Sequence, residues 1–108
     1  MSKVDKVHKL VEKGKEDALL KMLSDRDPAV ALAAIEGLGK VGAEAAVTQL
    51  ITMLHDASPA IRAACAAALG QLHDSRAQSH LSHAMEIEQD SKTKQAMIDA
   101  LSKLSSNN

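Results

Sequence analysis

The chain contains no Phe, Tyr or Trp, so whatever core it builds is aliphatic. The same absence removes the stacking platforms of single-strand nucleic-acid binders, and a formal net charge of -1 offers no broad basic field for phosphates. Nucleic acid is therefore a disfavoured partner. With one cysteine, Cys65, no internal disulfide forms, and its apolar setting between Ala63 and Leu69 marks a packed thiol. No window reaches the length of a membrane span, and the opening MSKVDKVHKL is too charged for a signal peptide. These features predict a soluble protein in a reducing, cytoplasmic setting. No phosphate loop, nucleophile elbow or Cys-x-x-Cys pair is present, which predicts no catalytic residues, no cofactor and no enzyme activity.

What is present is repetition. The segment LSDRDPAVALAAIEGLGKV from Leu23 returns as LHDASPAIRAACAAALGQL from Leu54, offset by 31 residues. Leu23 matches Leu54, Asp25 matches Asp56, Pro28 matches Pro59, Val30 matches Ile61, and Leu38-Gly39 matches Leu69-Gly70. A third copy follows at the same offset, then slips by one residue near Glu88 to Asp90, so that Cys65 meets Met97 and Leu69 meets Leu101.

Each unit reads as two helices. Ala46, Leu50 and Leu54 share one face of the first. Asp-x-x-Pro ends it, because proline suits a first helical turn and the residue before it can cap. The second helix carries Ile61, Ala64, Cys65, Ala68, Leu69 and Leu72 at helical spacing. An extra helix at about 3–14, with Val4, Val7, Leu10 and Val11 on one face, is expected to cap the first unit. The polar tail Ser105 to Asn108 is expected to fray. The prediction is an all-α, single-domain α-solenoid over 1–108: three helix pairs, at about 16–41, 43–72 and 75–104, in a right-handed stack.

The pattern Asp56-x-x-Pro59-x-Ile61-Arg62-x-Ala64, ending Leu69-Gly70, resembles the HEAT-like repeat of the phycobilisome-lyase type. That resemblance spans about Glu16 to Leu104 and implies a scaffold more than a catalyst. It also implies an arginine and aspartate ladder between repeats. The ladder is incomplete here, since Ala31 and Lys94 replace the motif arginine, leaving Arg62 to pair with Asp25, Asp27 or Asp56. In such proteins the second helices line a concave groove. Removing core positions leaves Ala31, Leu32, Ile35, Glu36 and Lys40 in repeat one. Repeat two leaves Arg62, Ala63, Ala66, Ala67 and Gln71, and repeat three leaves Lys94, Gln95, Ile98, Asp99 and Lys103.

The expected partner-binding surface is an apolar row, Ile35, Ala66 and Ile98, with Leu32 and Ala63 beside it and Glu36, Arg62, Lys94, Asp99 and Lys103 at its rim. A shift of the helical phase by one position, or cover from adjoining helices, would return that row to the core. The predicted function is a protein-interaction module holding another protein's peptide or helix in the groove, with homodimerisation as the alternative. Nucleic-acid binding and lyase chemistry rank below both.

The histidines support no metal site. His80 and His83 are three apart but belong to a surface position, and only His73 stands as a further ligand for zinc. HEAT-repeat hydroxylases use His-Glu dipeptides to bind iron. This chain has His55-Asp56 and His73-Asp74, at opposite ends of one helix, where they cannot share an ion.

Overall fold

A computed structural model describes residues 1–105, so the expected fraying beyond Ser105 lies outside the described residues. Seven α-helices are present among them. They are α1 (Lys3–Glu12), α2 (Glu16–Met22), α3 (Pro28–Val41), α4 (Val47–Met53), α5 (Pro59–Leu72), α6 (Ala77–Ile87) and α7 (Ser91–Ser105). A short 3₁₀ turn, Glu44–Ala46, leads into α4. The three predicted pairs are α2 with α3, α4 with α5, and α6 with α7.

Local chemistry sets the boundaries. Asp27 and Ser58 cap α3 and α5, accepting from the backbone N–H of Ala29 at 3.0 Å and Ile61 at 3.4 Å, with Pro28 and Pro59 just inside each helix. Asp90 does the same for α7, accepting from the N–H of Thr93 at 3.0 Å. The caps at 27, 58 and 90 keep the 31-residue offset and then the one-residue slip. Beyond α3 and α5 the chain turns through left-handed backbone, at Gly42 (φ 71°) and at its equivalent His73 (φ 52°). Gly14 after α1 adopts the same conformation, φ 65°.

Those three matching turns show what α1 is. It lies against α3 as α3 lies against α5 and α5 against α7, so it is a fourth member of the row of second helices. Aligning Gly14 with Gly42 sets Val7 at the position of Ile35 and Leu10 at that of Leu38, and Val7 is fully buried. The positions of the buried Ala34 and Gly37 fall on Lys6 and Lys9, both exposed. The expected cap therefore continues the row of second helices, with lysines on the side turned away from α3.

The core is aliphatic. Leu19, Ile35, Leu38, Leu50, Leu69, Leu81 and Met97 are all fully buried. Cys65 is inside as predicted, and burial pushes its thiol up to about 12. The row of second helices is drawn close by glycine. A Cβ on Gly70 would stand 3.1 Å from Ala100 Cα, and one on Gly39 would stand 3.2 Å from Ala68 Cα. Thr93 joins α7 to α5, its hydroxyl donating to the Pro59 carbonyl at 3.1 Å.

Candidate functional site

The expected groove strip is corrected by one step of helical phase. Ile35 and Ala66 are fully buried, and Ala31 is nearly so. The reason is neighbours: α3 is flanked by α1, α5 and α2, and α5 by α3, α7 and α4, so each of these inner helices hides most of its circumference. α7 packs on α5 and α6, and no further helix follows it among the described residues. The equivalent Ile98 is consequently 41 % exposed. Leu32 and Ala63 are half-buried, and Leu32 packs against the core.

The surface that the inner row does present runs through other positions. On α3 it is Ala29, Ala33, Glu36 and Lys40; on α5, Ala60, Ala64, Ala67 and Gln71; on α7, Lys92, Ala96, Asp99 and Lys103. These are equivalent sets at a spacing of four, three and four, one face of each helix. Ala33, Ala64 and Ala96 form its floor, each half-buried and packed against the core beneath. Two shallow hollows mark it. One, of about 220 Å³, lies between α1 and α3 among His8, Val11, Ala33, Glu36 and Lys40. The other, of about 270 Å³, lies between α3 and α5 among Glu36, Lys40, Ala64, Ala67 and Gln71. Glu36 and Asp99 thus belong to the exposed face as expected, together with Lys40, Ala67, Gln71 and Lys103. The alanine floor was missed because Ala33 and Ala64 match across repeats like core positions. Their signal is that the position is alanine in all three copies, whereas Ala34 and Ala66 give way to Cys65 and Met97 and to Ile35 and Ile98 in the other copies.

Arg62 is not free to meet a partner in this face. Its guanidinium grips Glu88 with two hydrogen bonds, Nε to Oε1 at 2.7 Å and Nη2 to Oε2 at 2.9 Å, while Nη1 donates to the carbonyls of Asp56 at 2.7 Å and Ala57 at 3.2 Å. The expected carboxylate partners Asp25, Asp27 and Asp56 are replaced by the turn of the following repeat, because the motif arginine reaches forward along the stack. Glu88, with its side chain 4 % exposed, also accepts the backbone N–H of Gln89 and Asp90. Lys94, the equivalent of Arg62 in the third repeat, is exposed and makes no ion pair among the described residues.

The Arg62 guanidinium, aided by the backbone N–H groups, holds the Glu88 carboxyl below the usual carboxylate range. The Arg76 side chain lowers Asp74, the Thr93 hydroxyl lowers Asp90, and the Asp27 N–H followed by Lys3 lowers Asp25. All four folded-state values lie below their unfolded ones. Their stabilisation is therefore complete above about pH 5 and is lost as pH falls through the folded values. Thermal melts between pH 7 and pH 2 are expected to show a plateau and then a fall starting near pH 4. Glu88→Gln should melt lower than the wild type at neutral pH and converge with it in acid. Parallel curves would mean that the ion pair contributes nothing to this dependence.

No group of three His, Cys, Asp or Glu residues able to hold a metal ion occurs among the described residues. His80 and His83 are exposed on α6, and His83 lies near His55, ring centroids 6.4 Å apart. His73 is the left-handed residue that ends α5. Nor is any described helix long and apolar enough to cross a membrane.

With this geometry in view, the comparisons with known proteins agree on the architecture. The sequence model of a family described as HEAT repeats matches residues 16–102. No curated protein matches the chain in sequence. Among solved structures, epoxyqueuosine reductase with an epoxyqueuosine-modified tRNA-Tyr stem loop is similar at a TM-score of 0.76 and 22 % identity, over 81 % of this chain and 28 % of that one. A selenomethionine-labelled epoxyqueuosine reductase is similar at 0.68 and 27 % identity, over 70 % of this chain and 20 % of that one. The chain thus spans between a fifth and little more than a quarter of the length of these structures.

Proposed function

The chain belongs to the family of HEAT repeats, and from that premise we propose that it is a non-enzymatic protein-interaction module whose exposed inner face receives an amphipathic helix of another protein. The observation that carries this reading is the repeated alanine floor, Ala33, Ala64 and Ala96, lying across successive helices between the charges Glu36, Lys40, Asp99 and Lys103. Small side chains let a docking helix approach closely, while mixed charges at the edge set its register. Glu36, Asp99 and Ala67 are the partner-binding residues of this reading. Lys94 and Ile98 lie toward the end of the stack, where a second copy of the chain would meet them in the homodimer alternative.

One structural neighbour holds a tRNA stem loop, which makes an RNA hairpin the competing ligand. The exposed face argues for protein, because it alternates lysine with carboxylate and offers no aromatic ring.

Ala67→Arg distinguishes the two. Ala67 is exposed at the middle of the face, so folding should change by less than about 0.5 kcal/mol. Arginine would block a docked helix but add a phosphate ligand. Captured host proteins should therefore be lost by at least about tenfold in affinity, equivalent to roughly 1.4 kcal/mol, with capture insensitive to ribonuclease. Stronger, ribonuclease-sensitive capture by the variant would overturn the proposal in favour of RNA. Light-scattering mass that halves in Ile98→Lys would instead establish the dimer.

A further inference from the structure

The inner helices carry a ladder of cation and carboxylate rungs, and one rung has lost its cation. Lys3, Ala31 and Arg62 occupy equivalent positions on α1, α3 and α5, by the alignment of Gly14, Gly42 and His73. Asp25, Asp56 and Glu88 occupy equivalent positions in the turns that precede α3, α5 and α7. Each of these acids accepts the backbone N–H two residues on: Asp27 at 2.9 Å, Ser58 at 2.9 Å and Asp90 at 3.0 Å. In the first rung Lys3 Nζ donates to Asp25 Oδ2 at 3.1 Å. In the third, Arg62 holds Glu88. In the middle rung the residue facing Asp56 is Ala31, and Asp56 Oδ2 takes part in no hydrogen bond among the described residues.

A cavity of about 430 Å³ lies where that missing side chain would run. Leu23, Ala31, Met53 and Ile61 give it an apolar lining, suited to an aliphatic stem, and the Asp56 turn closes one side. The turn of Asp25 and Arg26 lines it as well. One repeat further on, the carbonyls of the corresponding residues, Asp56 and Ala57, accept from Arg62 Nη1. The backbone carbonyls of Asp25 and Arg26 accept no hydrogen bond in the turns. The cavity therefore repeats the full acceptor set that binds Arg62: a carboxylate already oriented by its own turn and two carbonyls. Arg26 itself is exposed on the rim and makes no ion pair among the described residues.

We propose that this cavity between the first two turns binds the guanidinium of an arginine side chain supplied by the partner protein. The inference rests on the reading of the chain as a protein-interaction module and adds a specific anchor to it, at the edge of the stack rather than on the alanine floor. Arginine is favoured over lysine because its planar fork serves carboxylate and carbonyls together, as Arg62 does one repeat away.

The site is tested without knowing the partner by titrating the isotope-labelled chain with N-acetyl-arginine amide and following its amide resonances. Saturable shifts are expected at residues 24–27, 56–58 and Ala31, and none with the neutral isostere N-acetyl-citrulline amide. Asp56→Asn keeps an acceptor for the Ser58 N–H but removes the charge, and should weaken binding by about tenfold or more. Ala31→Arg should complete the ladder, raising Tm and abolishing the shifts. Equal shifts with citrulline, shifts away from the two turns, no saturation, or unchanged binding in Asp56→Asn would overturn the site. Failure here leaves the alanine face untouched, since Ala67→Arg probes that face alone. Success here with no effect of Ala67→Arg would move the partner's contact to the edge.

Discussion

Ile35→Lys is expected to abolish cooperative unfolding at room temperature, whereas Ile98→Lys, at the equivalent position two repeats later, should melt within a few degrees of the wild type. Ile35 is fully buried on α3, a helix packed against α1, α5 and α2, while Ile98 is 41 % exposed on α7. Removing the buried isoleucine forfeits about 1.5–3 kcal/mol of apolar transfer. Placing an ammonium there adds a desolvation cost of several kcal/mol, with no carboxylate among the buried residues to meet it. Together these consume most or all of the roughly 5–15 kcal/mol that holds a domain of this size. Circular dichroism during a thermal melt reads both variants. An Ile35→Lys variant that melted like the wild type would mean that α3 turns this residue outward.

That contrast also shows where the sequence was legible. The three helix pairs, the proline-led second helices and the one-residue slip before α7 were readable because capping and proline chemistry act within a few residues of chain. Cys65 was placed correctly for the same kind of reason, an unbroken apolar surrounding. The exposed face was misread by one helical step because periodicity reports the apolar side of a helix touching one neighbour. α3 touches three, and its buried arc from Val30 to Gly39 leaves only Pro28, Ala29, Glu36 and Lys40 exposed. Ile35 and Ala33 look interchangeable in sequence, and packing alone separates them. Arg62 was singled out, but its partner was not. Glu88 sits 26 residues on, in a turn lengthened by the slip, where neither spacing nor the aspartate pattern of the first two turns pointed. The place of α1 in the row of second helices was hidden too, because lysines stand at Lys6 and Lys9 where α3 has the buried Ala34 and Gly37.

The ladder and the close contacts are two ways in which one repeat holds the next, and the second is the more sensitive to change. Gly70 is the point to test. A Cβ there would stand 3.1 Å from Ala100 Cα and 3.2 Å from its Cβ, tighter than ordinary contact but relieved by a shift of a few tenths of an ångström. Alanine in place of glycine within a helix gains about 1 kcal/mol of propensity, so in Gly70→Ala that gain and the crowding should nearly cancel. Gly70→Leu gains no more propensity and must lodge three further carbons between α5 and α7. Overpacking of that kind costs about 1–3 kcal/mol or more, and the expected fall in Tm is on the order of 10 °C. Because stacked repeats depend on their nearest neighbours, the damage should be local. Amides of α6 and α7 should lose hydrogen-exchange protection first, while those of α3, which Gly70 does not support, keep theirs. Uniform loss across the chain would show that α7 is needed to hold even the first repeat, and a Gly70→Leu variant as stable as Gly70→Ala would show that α5 and α7 are not held apart by glycine at all.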